Sequence, residues 1–162
     1  MICRAQLSED GLYRYSLERI WQPAQPVLCY ILLNPSTADA TRDDATVRRC
    51  ITRAINSGFG GIEIVNLFAM RSRYPYSIAP HPDPIGPEND RYILTAAGRA
   101  GLVICGWGRT GAFRGRAGLI LGKLTAAGVI PHALKLNGDG TPCHPLYQPY
   151  SRTPFPFWPP YP

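Results

Sequence analysis

Apolar and polar positions along the chain fall into blocks that alternate between strand and helix periods. Tyr13 to Trp21 alternates with the period of two of an edge or hairpin strand, and Pro23 and Pro26 end it. Val27 to Leu33 is apolar on both faces, the pattern of a strand buried inside a parallel sheet. After a polar turn rich in aspartate, Val47, Cys50, Ile51, Ala54 and Ile55 recur at helical spacing. Asp43 or Asp44 is placed to cap that helix, and Gly58 to end it in the left-handed conformation. Gly61 to Phe68 predicts the next strand, and Pro87 suits the first turn of a helix running to about Ala100. Leu102 to Gly108 predicts another buried strand. Leu119, Leu121 and Leu124 mark a helix that ends near Gly128, and Ile130 to Leu136 supplies a last strand.

This alternation predicts an α/β fold: a three-layer αβα sandwich with a mainly parallel central sheet and an N-terminal β-hairpin or edge strand. Residues 1–150 form one domain, and 151–162 a tail of prolines and aromatics. That tail either packs across the domain or serves a protein partner; packing is favoured, because exposed aromatics invite aggregation. Met70 to Pro87, interrupted by Pro75, Pro80, Pro82 and Pro84, is long enough without regular structure to predict a functional loop or lid.

Composition narrows the classes. With 162 residues, 45% hydrophobic and 17% charged, the chain is long enough for a substantial core and is neither disordered nor a coiled coil. The net charge of +6 rests on arginine, since Lys123 and Lys135 are the only lysines. Arginine's planar fork suits phosphate and base edges, so the partner expected is a nucleic acid or nucleotide, with a plain basic surface as the alternative. The cysteines, Cys3, Cys29, Cys50, Cys105 and Cys143, are scattered, which argues against a zinc site and a disulfide framework and fits reduced thiols in a cytoplasm. No metal or cofactor is expected. Neither a signal-peptide pattern nor an apolar run of membrane-spanning length is present, so no membrane association is expected.

Candidate chemistry comes from topology. In an open parallel sheet the ligand crevice lies outside the carboxyl ends of the strands. The residues at or just past the end of each predicted strand are Asn34, Pro35, Ser36 and Thr37, then Asn66 with Arg71, then Trp107 and Arg109, then the loop carrying His144, Leu146 and Tyr147. Asp39, Asp43 and Asp44 are the carboxylates close to the first group.

Leu33-Asn34-Pro35-Ser36-Thr37-Ala38-Asp39-Ala40, Asp43-Asp44, Val65-Asn66-Leu67-Phe68-Ala69, Gly86-Pro87-Glu88-Asn89-Asp90, Trp107-Gly108 and His144-Pro145-Leu146-Tyr147 occur in that order. Together they resemble a family of bacterial and phage proteins, domain of unknown function 1643, from about Tyr13 to Tyr150. The same residues are similar, more distantly, to the uracil-DNA glycosylase superfamily. Asn34-Pro35-Ser36 corresponds to its first motif, Asn66 to its base-reading asparagine, and Trp107-Gly108 and His144-Pro145 to its later motifs. That resemblance implies a glycosylase-like fold and hydrolysis of an N-glycosidic bond. Asn34 would orient water, with Asp44, or else Asp39 or Asp43, folding back to activate it, and His144 would stabilise the departing base. Asn66 would read the base edge; Trp107, Phe68 or Tyr30 would stack on it, and Leu146 would wedge into the vacated space. Arg71, Arg109, Arg114 and Arg116 would hold phosphates. The sequence departs from the superfamily in two places: no carboxylate follows Leu33 directly, and Leu146 stands where the superfamily has serine.

Each residue also has a structural reading. The alternatives are Asn34 closing a turn with its amide, Asp43 or Asp44 as a helix cap, Asn66 as a strand-end bond and Trp107 as core. Three functions therefore compete: a nucleobase-directed hydrolase, a binding module without chemistry, and an interaction protein using its tail of prolines and aromatics.

Overall fold

The computed structural model describes residues 1–72 and 78–158. Seven strands form one mixed sheet in the order β1-β2-β4-β3-β5-β6-β7. The strands are β1 (Ile2–Leu7), β2 (Arg14–Ile20), β3 (Val27–Leu32), β4 (Gly61–Asn66), β5 (Leu102–Cys105), β6 (Pro131–Ala133) and β7 (Phe155–Pro156). The central β4-β3-β5-β6 block is parallel, and β1, β2 and β7 run antiparallel at the two edges. Among the described residues three α-helices flank the sheet: α1 (Ala45–Asn56), α2 (Asn89–Arg99) and α3 (Arg116–Ala126).

The two faces of β3 show how the layers are built. Leu28, Tyr30 and Leu32 point to the side where Val47, Cys50 and Ala54 of α1 pack. Cys29 and Ile31 point to the opposite side, against Ile93, Ala96 and Ala97 of α2 and Ile120, Leu121 and Leu124 of α3. A doubly covered strand has no polar face, hence the unbroken apolar run. Each fully buried Leu, Ile or Phe contributes about 1.5–3 kcal/mol. Among the described residues, no helix is long and apolar enough to cross a membrane.

Several expectations are refined. The hairpin strand is preceded by β1, which is exposed along most of its length and therefore carries no hydrophobic alternation. The last parallel strand shortens to Pro131–Ala133, and α2 begins at Asn89, after Pro87 rather than on it. Gly58 ends α1 with φ of 80°, as the left-handed position requires. In the C-terminal segment, Phe155 pairs with Ala133, and Phe157 and Trp158 pack against the core. Of the proline-interrupted segment expected as a lid, residues 73–77 lie outside the described residues.

Candidate functional site

A cleft of about 520 Å³ opens at the carboxyl ends of β3, β4 and β5. Its wall includes Leu33, Asn34, Pro35 and Ser36 after β3, Asn66 at the end of β4, and Trp107, Gly108, Arg109 and Thr110 after β5. Asp44, Ala45, Thr46 and Val47 bring in the start of α1, and His144, Leu146 and Tyr147 bring in the late loop.

Asn34 is held by its nitrogen. Nδ2 donates to the Pro35 carbonyl at 3.2 Å and to the Ser72 carbonyl at 3.0 Å, while Ser72 N–H donates to the Pro35 carbonyl at 2.8 Å. Two carbonyl acceptors fix which end of the amide is nitrogen, so Oδ1 is the end with acceptor capacity to offer. The turn reading and the site reading of Asn34 are therefore compatible: one end closes the turn and the side chain still lines the cleft.

The three aspartates have separate fates. Asp39 accepts from Thr41 N–H at 2.9 Å, Thr41 Oγ1 at 3.1 Å and Arg42 N–H at 2.9 Å, a local turn that holds its carboxyl below the ordinary range. Asp43 pairs with Arg19 Nε at 2.9 Å; Arg19 is 1% exposed and also donates to the carbonyls of Glu18 and Asp39. Asp44 alone of the three lines the cleft. Its Oδ1 caps α1 by accepting from Val47 N–H at 2.9 Å.

His144 has a defined tautomer. Nδ1 accepts from Leu146 N–H at 3.2 Å, which requires Nδ1 to be unprotonated and places the proton of the neutral ring on Nε2. Burial lowers the imidazole pKa, and the charge of Asp44 opposes that fall only in part, so the ring is a neutral donor. The loop that carries it is anchored from α1. Arg49 donates to the Gln148 carbonyl at 2.6 Å and stacks on the Tyr150 ring at 3.9 Å. Arg53, itself buried, donates to the Gln148 and Pro149 carbonyls at 3.0 and 3.1 Å. Gly106 lets this loop approach β5, since a Cβ there would come 2.8 Å from Pro145 Cδ.

The lowered pKa makes stability pH-dependent. An unfolded chain protonates His144 near the ordinary value of 6.5, above the folded value, so the unfolded state takes up the proton first. The stabilisation is complete above that pH and is lost as pH falls through the lower folded pKa. Denaturant titrations should show the advantage of the parent protein over His144→Gln shrinking on acidification; a constant difference would contradict the buried neutral ring.

Asn66 is 2% exposed, and its Oδ1 is buried with no hydrogen-bond partner among the described residues. Its backbone carbonyl is taken by Asn89 Nδ2 at 2.8 Å, so the side chain is not needed to satisfy the strand end. An unpaired buried amide oxygen costs about 1–3 kcal/mol, a cost that a ligand with a matching donor removes.

Trp107 is 3% exposed, so it is core as well as cleft wall. Gly111 is buried against its indole, and a Cβ at Gly111 would overlap the indole ring. Gly111→Ala should cost about 1–3 kcal/mol by overpacking and displace the Trp107 wall. Thermal unfolding together with tryptophan fluorescence checks this; an unchanged melting temperature would contradict it.

Other expected residues lie off the wall. Phe68 is 0% exposed and packs on Phe113, and Tyr30 is also fully buried, so neither presents a face to a ligand. Thr37 and Arg71 are half-buried outside the cleft lining. Arg116 is buried, donating to the Leu67 carbonyl at 2.8 Å and pairing with Asp90, which removes it from the phosphate-holding set. Arg114 is exposed but reaches the Ala79 and His81 carbonyls at 3.4 Å. Arg109 remains at the rim, 67% exposed in its side chain and 3.7 Å from Asp139.

Arg14 was not among the expected residues. It starts β2, which runs antiparallel to β4 and so begins at the end of the sheet where the parallel strands finish. It therefore does not lie among the residues that follow the parallel strands. The signal that would have found it is an arginine opening the hairpin strand.

An open α/β sheet with a cleft at the carboxyl ends of its parallel strands is the arrangement in which α/β proteins bind ligands. The chain belongs to the family described as protein of unknown function (DUF1643), whose family model matches residues 14–146. That stretch includes every cleft-lining residue except Tyr147. No curated protein and no solved structure matches the chain.

Proposed function

We propose that the cleft takes a nucleobase and that the protein hydrolyses the N-glycosidic bond joining that base to its sugar, in a nucleic acid or nucleotide, on a uracil-DNA glycosylase-like fold. The observation that carries this reading is the composition of one cleft. It holds Asp44 and the Asn34 amide oxygen for a water, and the His144 Nε2–H, with its tautomer set, for the departing base.

In the reaction the C1′–N bond breaks with its electron pair staying on the base nitrogen. The water oxygen bonds to C1′, and its proton passes to Asp44, whose Oδ2 is not the oxygen bound to Val47 N–H. His144 Nε2–H donates to a base carbonyl as negative charge gathers there. It transfers no proton; the base is protonated by solvent. Asn66 reads the base edge through its amide, and Trp107 forms the apolar wall beside it. Leu146 occupies the space the base vacates in a duplex, and Arg109 at the rim meets phosphate.

A second reading, a base-binding module without turnover, is favoured by one observation: Asp44 already caps α1, and no carboxylate directly follows Leu33. Titrating the protein with oligonucleotides and free nucleotides of varied bases, with base release followed in parallel, separates the two. Hydrolysis requires binding that Asn66→Ala weakens, together with release. Tight binding without release supports the module, and no binding of either ligand class contradicts both.

A further inference from the structure

We propose that Arg14 is a catalytic residue of this cleft: its guanidinium is the fixed positive charge that stabilises the base as it leaves as an anion. This rests on the nucleobase reading above and extends it to the charge state of the bound base.

Arg14 lines the cleft, and the antiparallel register, with Leu17 opposite Ile64, brings it to the level where β4 ends at Asn66. The residue is 3% exposed. Nη1 donates to the Ala38 carbonyl at 2.9 Å, and Nε has no acceptor among the described residues. A buried guanidinium without full hydrogen bonding is costly, and this one is not relieved by a carboxylate at ion-pair distance among the described residues. Of the charges that reach it, Asp44 and Asp39 favour the charged guanidinium and Arg71 and Arg19 oppose it. Arg19 and Asp43 neutralise each other at 2.9 Å. Burial lowers the Arg14 pKa to about 10, which leaves it protonated at neutral pH.

The chemistry asks for such a charge. His144 is a neutral donor, so it offers a dipole where a full charge develops. A cation held in a poorly solvated cleft interacts with a developing anion far more strongly than one in water. When the C1′–N bond breaks, the electron pair stays on the base and Arg14 transfers no proton. The base, rather than a phosphate, is the group that fits. A terminal phosphate dianion would bring two charges opposite the Asp44 carboxylate on the same wall, whereas a departing base brings one, spread over its ring.

The test measures binding of free bases by calorimetry at neutral pH, in two pairs: uracil against 5-nitrouracil, and hypoxanthine against urate. The second member of each pair is an anion under these conditions. The parent protein should bind the anionic member of the pair it accepts about tenfold more tightly or better. Arg14→Gln should abolish the preference, and Arg14→Lys should retain part of it, with thermal melts confirming that each variant folds. The comparison within the parent protein stands even if Arg14→Gln does not fold. Equal binding of neutral and anionic bases overturns the assignment and leaves the nucleobase reading intact. Binding of neither base in both pairs sinks the two together. Inorganic phosphate displacing the anionic base, with loss of that effect in Arg14→Gln, assigns Arg14 to a phosphate and also overturns it.

Discussion

The Asp44→Asn protein should melt within about 1 kcal/mol of the parent in stability yet release base about 10²- to 10⁴-fold more slowly. The two effects separate because asparagine caps a helix about as well as aspartate does, so Val47 N–H keeps its acceptor and α1 keeps its start. What asparagine cannot do is take a proton from water. Asp44 is the carboxylate left to do this, since Asp39 is engaged by Thr41 and Arg42 and Asp43 by Arg19. Base release and thermal unfolding, measured on the same sample, check the prediction. Unchanged turnover would remove Asp44 from the chemistry and leave it a cap.

The second large effect is expected at His144. Phenylalanine there removes the Nε2–H donor and should lower kcat by about 10²- to 10³-fold with a smaller change in KM, because the bond strengthens only as charge reaches the base. Glutamine can still accept from Leu146 N–H and present an N–H to the cleft, so His144→Gln should recover part of that loss. Equal losses in both variants would mean that His144 matters only for holding the Leu146 turn.

The location of the cleft was legible in the sequence for a definite reason. Strands β3 and β5, buried on both faces, are unbroken apolar runs, and Asn34 just past β3 and Asn66 at the end of β4 fall at the carboxyl end of the sheet, where ligands bind. The choice among carboxylates was not legible. Asp39, Asp43 and Asp44 are near neighbours in one loop, and Arg19, an inward residue of an edge-side strand, is what claims Asp43. Phe68 illustrates the opposite failure. It lies two residues beyond Asn66, yet the chain stays in the core through Ala69, so proximity in sequence does not bring it to the cleft. Arg14 escaped because strand direction, not strand content, puts it there: β2 runs against β4. Strand β1 escaped because an exposed edge strand has no apolar face to alternate with a polar one.

Base release by the purified protein separates hydrolysis from binding alone. Single- and double-stranded oligonucleotides carrying uracil, hypoxanthine, mismatched thymine or modified pyrimidines, together with the corresponding free nucleotides, are incubated with it. Abasic sites are read by alkaline strand cleavage and free base by chromatography. Release is expected from at least one of these substrates, and is expected to be lost in Asp44→Asn and in His144→Phe. Tight binding across the panel with no base released from any of them would contradict it.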